Sequence, residues 1–196
     1  MSTRWPDLFI VENFFDPPVC KAIVAELATA ESSAATVYGR GVADGAIDAA
    51  VRRTLRIFPS PETVELVTRR LWSCKDAIER HFDLILTECE DPQFLRYREG
   101  DFFVAHQDGN TGLVRLETER RLISTVIFLS RESNVPGPNV YCGGALVLSN
   151  HHPASDHAPF RVKVEPGTLV AFRSETTHEV TPVTHGERLS IVSWYR

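Results

Sequence analysis

Apolar residues recur along this chain in two rhythms, and the change falls near residue 82. Before it, helical spacing dominates. Val64, Val67, Leu71, Cys74 and Ile78 follow one another at intervals of 3, 4, 3 and 4, which aligns them on one side of a 3.6-residue helix. Ser60-Pro61-Glu62 opens that run with an N-cap, a proline in the first turn and an acid, the order that a helix start favours. The stripe reads as a face packed against a sheet, and His81 near its end as a surface or capping histidine. Asp16-Pro17-Pro18 repeats the start signal and predicts an earlier supporting helix from Val19 to about Ala30, with Ile23 and Leu27 on one face. A short edge strand is predicted within residues 5–15. Residues 31–51, rich in Ser, Ala and Gly, read as a solvent loop in preference to a lid, and Arg52 to Phe58 alternates like a strand.

From Phe82 onward short β-rich runs recur, broken by Gly, Pro, Asp and Asn. They cover 83–89, 93–98, 102–107, 122–130, 144–149, 160–164, 168–173, 178–183 and 188–195. Many short strands with no helical pattern between them predict an antiparallel sandwich or barrel. The expected architecture is mainly β, a jelly roll (double-stranded β-helix) braced by the N-terminal helices. Residues 1–196 are expected to form a single domain, with 1–90 a helical and loop support region and 91–196 the jelly-roll core. Residues 131–143 and 150–159 read as loops.

Composition narrows the function. A net charge of −5 over 196 residues gives no basic footprint for nucleic acid, and none is expected as a partner. No run approaches the ~18–20 apolar residues of a membrane span, and the N-terminus has no signal-peptide pattern. Cys20, Cys74, Cys89 and Cys142 form no C-x-x-C pair and read as reduced thiols of a cytoplasmic protein. Oligomeric state is left open.

Candidate chemistry gathers in Phe102–Asn110. His106 and Asp108 lie two residues apart at the end of an apolar run, and residues i and i+2 of a strand share a face. Alone, the pair could be a hydrogen-bonded strand end. His178 offers a third donor, and two histidines with one carboxylate on one face of a metal is the arrangement of non-heme Fe(II) oxygenases. Arg188, Ser190 and Trp194 fall at even offsets on the last strand, expected beside the strand of His178, and point one way. A buried arginine facing a cavity needs an anion, and its fork matches a carboxylate. His151, His152, Asp156 and His157 read as a solvated loop in preference to a second metal site. Arg120-Arg121 reads as a flanking charge pair.

In order along residues 93–196, the chain carries Leu95-Arg-Tyr97-x-x-Gly100-x-Phe-Phe-x-x-His106-x-Asp108, the strand Arg121–Ser130 and Gly143-Gly144. His178-x-Val-x-Pro-Val-x-x-Gly186-x-Arg188 follows. This set resembles the Fe(II)- and 2-oxoglutarate-dependent dioxygenases, and within them the prolyl 4-hydroxylase-like branch. The resemblance implies Fe(II) on His106, Asp108 and His178, and 2-oxoglutarate with its distal carboxylate on Arg188. Tyr97, Ser190 and Trp194 would line the co-substrate pocket. O2 would be consumed, with ascorbate as a candidate reductant. 2-Oxoglutarate would be decarboxylated to succinate and CO2 while a C–H bond of a prolyl, peptidyl or amino-acid-like substrate is hydroxylated. Phe128 departs from the pattern, since relatives often carry a hydrogen-bonding tyrosine there; Ser190 or Ser124 could stand in. Two other readings are an alkylated nucleic-acid demethylase, disfavoured by Trp194 where that class usually has a second arginine, and a non-catalytic metal-binding jelly roll. Asp108 argues against a halogenase, which usually lacks the carboxylate ligand.

Overall fold

The last strand, β15 (Arg188–Tyr195), is the axis of the larger sheet. It pairs antiparallel with β5 (Gln93–Tyr97) on one side and β7 (Ile123–Phe128) on the other. β12 (Leu169–Arg173) and β1 (Phe9–Val11) continue the sheet past β7, while β4 (Leu55–Phe58) and β2 (Glu31–Ala34) continue it past β5, for seven strands among the described residues. A second sheet runs in the order β11 (Phe160–Val162), β10 (Leu146–Ser149), β13 (Thr177–Val180), β6 (Phe102–His106) and β3 (Arg52–Arg53). A small third sheet joins β14 (Val183–His185), β9 (Val140–Gly143) and β8 (Arg131–Glu132). The computed structural model describes residues 5–37, 47–109, 120–149 and 157–196. The architecture is the expected jelly roll, with strands 91–196 in both sheets and the preceding residues adding β1 to β4.

Alternation along β15 organises the molecule. Leu189, Ile191 and Tyr195 face a core shared with α1 (Pro17–Thr29) and α2 (Pro61–Phe82). Arg188, Ser190, Val192 and Trp194 face the opposite way and line a cavity between the sheets. The period of two puts chemistry on one face and packing on the other. Both helices start as their sequences dictate. The Asp16 side chain accepts from Val19 N at 2.9 Å, and Ser60 caps Thr63 N at 3.4 Å. Val67, Leu71 and Ile78 of the predicted stripe are fully buried, with Val64 and Cys74 partly so. Truncating a residue such as Leu71 to alanine is expected to cost about 2–5 kcal/mol.

Five local expectations fail for identifiable reasons. Residues 83–89 form no strand: Asp83 ends α2 in the left-handed region at φ 52°, and Thr87 and Glu88 donate to the carbonyl of Arg196 instead. The 178–183 run is two strands because Thr181-Pro182 interrupts it, and proline cannot donate to a ladder. The 131–143 loop contains β8 and β9. Arg52 to Phe58 divides at Thr54, so that Arg52 and Arg53 join the smaller sheet and Leu55–Phe58 the larger one. Residues 31–34, placed in a loop by their composition, pair with β4. All four cysteines are free thiols. Among the described residues no helix is long and apolar enough to cross a membrane.

Candidate metal and co-substrate site

The smaller sheet supplies both imidazoles. His178 of β13 lies directly opposite His106 of β6 in the ladder, so their rings stand 4.2 Å apart. Cross-strand partners of this kind are near neighbours by construction. Asp108 lies just past the end of β6, where its backbone N–H donates to the carbonyl of Ser174 at 3.0 Å. Its carboxylate approaches both imidazoles: Oδ1 is 3.5 Å from His106 Nε2 and Oδ2 is 3.4 Å from His178 Nε2. The three donor atoms lie within 4.8 Å of one another.

Hydrogen bonds behind the rings prepare them as ligands. His106 Nδ1 faces the carbonyl of Val104 at 2.8 Å, and His178 Nδ1 faces that of Thr176 at 2.9 Å. A carbonyl only accepts, so each Nδ1 carries the proton and each Nε2 presents its lone pair to the cavity. Burial, together with the neighbouring His106, lowers the His178 pKa to about 4, which keeps the ring neutral at physiological pH. Burial alone would raise the Asp108 pKa, whereas positive charge at His178 and His106, in their protonated form, pulls it well below the usual carboxylate range. Its Oδ2 also accepts from Ser124 Oγ at 2.7 Å, and Ser124 is paired with Ser174 at 2.9 Å. A neutral pair of imidazoles and one ionised carboxylate is a donor set that suits a divalent transition metal.

Arg188 faces these groups from the opposite sheet. The expected pairing of its strand with that of His178 does not occur: β15 pairs with β5 and β7, while β13 belongs to the smaller sheet. Gly186, at φ 72°, turns the chain between them, and the two residues meet across the cavity rather than along a ladder. Arg188 is only 2% exposed. Its Nη1 donates to Ser190 Oγ at 2.8 Å, and its guanidinium lies 5.2 Å from the Tyr97 ring and 5.3 Å from that of Phe128. Nε is buried without a partner, and among the described residues no carboxylate pairs with it. A cation so placed is satisfied by an anion entering the cavity. Gly143 and Gly144 permit the tight approach behind it. A Cβ on Gly143 would lie 2.3 Å from the Pro182 carbonyl oxygen, and one on Gly144 would lie 3.2 Å from Arg188 Cδ.

The cavity has a volume of about 380 Å³ and is bordered by His106, Asp108, His178, Tyr97, Arg188, Ser190 and Trp194. All seven candidates named from the sequence therefore meet in one place. Of the two serines weighed against Phe128, Ser190 contacts Arg188 and Ser124 contacts Asp108 instead. Tyr141, buried beside Arg188, went unnoticed because its run read as a loop. Arg52, Phe103 and Arg121 also border the cavity; none was a site candidate in the sequence, where Arg121 read as a flanking charge and Phe103 only as part of the motif before His106. The aromatic pair Phe102-Phe103 before His106 was the available signal for Phe103, whose ring stacks on His106 at 3.5 Å. Residues 38–46, 110–119 and 150–156 lie outside the described residues, among them the loop glycines and most of the second histidine cluster. His157 stacks on Trp5 with ring centroids 6.0 Å apart.

Comparison with known proteins agrees with this geometry. Residues 92–196 match the model of the 2OG-Fe(II) oxygenase superfamily. A PKHD-type hydroxylase of Shewanella oneidensis is 35% identical over 108 residues, covering 53% of this chain and 41% of that protein. One from Paracoccus denitrificans is 36% identical with the same coverage. The alignment thus spans well under two thirds of these relatives' length. A prolyl-4-hydroxylase of Pseudomonas putida superposes with a TM-score of 0.71 at 24% identity, over 97% of this chain and 92% of that one. A prolyl hydroxylase of Trichoplax adhaerens, in complex with a hypoxia inducible factor peptide fragment, gives 0.70 at 17%, over 96% and 83%. These structures share the fold, and the family model covers over half the chain: it belongs to the 2OG-Fe(II) oxygenase superfamily.

Proposed function

We propose that the chain is an Fe(II)- and 2-oxoglutarate-dependent dioxygenase that hydroxylates a C–H bond of a prolyl, peptidyl or amino-acid-like substrate. The observation that carries this reading is Arg188, a buried guanidinium with no described carboxylate of its own, opposite two imidazoles and a carboxylate across one cavity. When bound, iron, 2-oxoglutarate and O2 supply the oxidising chemistry, with succinate and CO2 released as the hydroxyl is installed.

The chain's own residues bind and orient. His106, Asp108 and His178 would hold the metal through donor atoms that lie within 4.8 Å of one another. The Val104 and Thr176 carbonyls fix both imidazoles with Nε2 forward, and Ser124 fixes the carboxylate. Arg188 grips the distal carboxylate of 2-oxoglutarate, with Ser190 holding one arm of the fork. Tyr97 and Phe128 wall the guanidinium on either side and exclude water, which strengthens the charge pairing. Trp194 borders the same cavity. The peptide held by the Trichoplax relative supports a peptide-borne substrate, and ascorbate is the reductant to include in assays.

An anaerobic absorption titration tests the reading. Fe(II) followed by 2-oxoglutarate should produce a saturable metal-to-ligand charge-transfer band that is absent in Asp108→Ala. A protein that binds Fe(II) but gives no band with 2-oxoglutarate would be a metal-binding module instead.

A further inference from the structure

Among the described residues three arginines border the cavity: Arg52, Arg121 and Arg188. Arg121 is neutralised within the chain by Glu90. Arg188 is assigned above to the co-substrate. Arg52 remains, and its setting is specific. Its guanidinium lies over the Phe103 ring at 4.7 Å, and Phe103 stacks on His106 at 3.5 Å with the planes 18° apart. Cation, ring and imidazole thus form a column that ends at the candidate metal. Nη1 donates to the carbonyl of Thr36 at 3.1 Å, while Nε is buried with no partner. Among the described residues no carboxylate pairs with Arg52.

We propose that Arg52 recognises a carboxylate on the primary substrate and so holds the carbon to be hydroxylated beside the metal. This rests on the oxygenase reading above and goes beyond it by naming the substrate class. The Phe103 ring covers one side of the guanidinium, and the N–H groups that Thr36 does not take are left for an anion. A buried N–H left unsatisfied is costly, and a planar carboxylate matches the fork bidentately. The neighbouring wall is Val37, Val51 and Val104, which suits an aliphatic framework. The ligand is therefore an aliphatic carboxylate, either the α-carboxylate of a free amino acid or an acidic side chain close to the target residue in a peptide.

The test compares matched probes on the full chain with Fe(II), 2-oxoglutarate and O2, reading succinate release. One arm sets L-proline against L-prolinamide. The other sets end-blocked peptides with Pro-Asp against the same peptides with Pro-Asn. The carboxylate member of at least one arm should show kcat/KM about tenfold or more above its amide partner. The arm that responds identifies the source of the carboxylate. Arg52→Gln should collapse that ratio towards one, mainly by raising KM, and Arg52→Lys should retain part of it. Equal rates for carboxylate and amide members in both arms, or no turnover in either, would overturn the proposal, as would a preference that survives in Arg52→Gln. The charge-transfer band separates the two levels of inference. Its absence in the wild-type chain refutes the oxygenase reading itself, whereas its presence without a carboxylate preference refutes only the role of Arg52. Its loss in Arg52→Gln would mark Arg52 as a support for Phe103 and His106 and likewise overturn the proposal.

Discussion

Two buried arginines border the same cavity, and the chain treats them in opposite ways. Arg121 places Nε and Nη2 at 2.7 and 2.5 Å from the two carboxylate oxygens of Glu90, lies 3.6 Å over the ring of Trp194, and shares Glu90 with Arg196. Arg188 has a serine, two aromatic walls and an orphan Nε. Burial does not distinguish them, since they are 8% and 2% exposed. Pairing does. Folding satisfies Arg121 completely, whereas the charge of Arg188 is left for a ligand, and the difference separates a structural ion pair from a binding group.

The largest effect expected lies at the unsatisfied end of the cavity. Asp108→Ala removes the carboxylate of the donor cluster and should reduce succinate formation to assay background, with the circular dichroism of a folded jelly roll retained. Turnover near the wild-type rate would refute the metal assignment. A matched pair then tests the two arginines directly. Arg188→Met removes a buried cation that lacks a partner, so the apo-protein should be at least as stable as wild type, while 2-oxoglutarate affinity falls on the order of a hundredfold. Arg121→Met should do the reverse. It strips Glu90 of its bidentate partner and leaves only the Arg196 contact, for a loss of about 2–4 kcal/mol in urea unfolding, with a much smaller change in 2-oxoglutarate binding. If both variants lost stability alike and bound 2-oxoglutarate alike, the contrast between them would be void.

The same contrast explains how much the sequence disclosed. His106, Asp108, His178 and Arg188 were legible because each sits at a fixed offset from a strand end or turn, and side-chain parity does not depend on which sheet a strand joins. The helix stripe from Val64 to Ile78 was legible for a similar reason, being a local period. What could not be read was partnership across the fold. His106 faces His178 in one ladder, β15 lies in the other sheet, and Glu90 reaches Arg121 from 31 residues away. None of these leaves a local trace. Arg52 was hidden in the same way: its neighbour in the chain, Arg53, is exposed, and only the pairing of Arg52 with Phe103 brings it to the cavity. Residues 131–143 were misread because proline and glycine near their centre outweighed Val140 and Tyr141, which tertiary pairing makes a strand.

The smallest effect expected lies on the satisfied side, at the next residue after Trp194. Tyr195 points away from the cavity, is fully buried, and donates from its hydroxyl to the carbonyl of Leu71 at 2.6 Å. Burial pushes its pKa above the ordinary value of 10.0. In the unfolded chain the phenol ionises near that ordinary value, so its contribution to stability is complete below about pH 10 and is lost as the pH rises beyond it. Tyr195→Phe has no such proton to release. It should cost about 1 kcal/mol at neutral pH, where the hydrogen bond to Leu71 is lost, yet its stability should decline less steeply than wild type in alkali. Urea unfolding of both proteins from about pH 8 to about pH 11 measures the difference. Parallel alkaline declines would mean that Tyr195 is not what titrates. Unchanged charge-transfer behaviour in the variant would keep this residue on the structural side of β15, one position away from a neighbour that faces the chemistry.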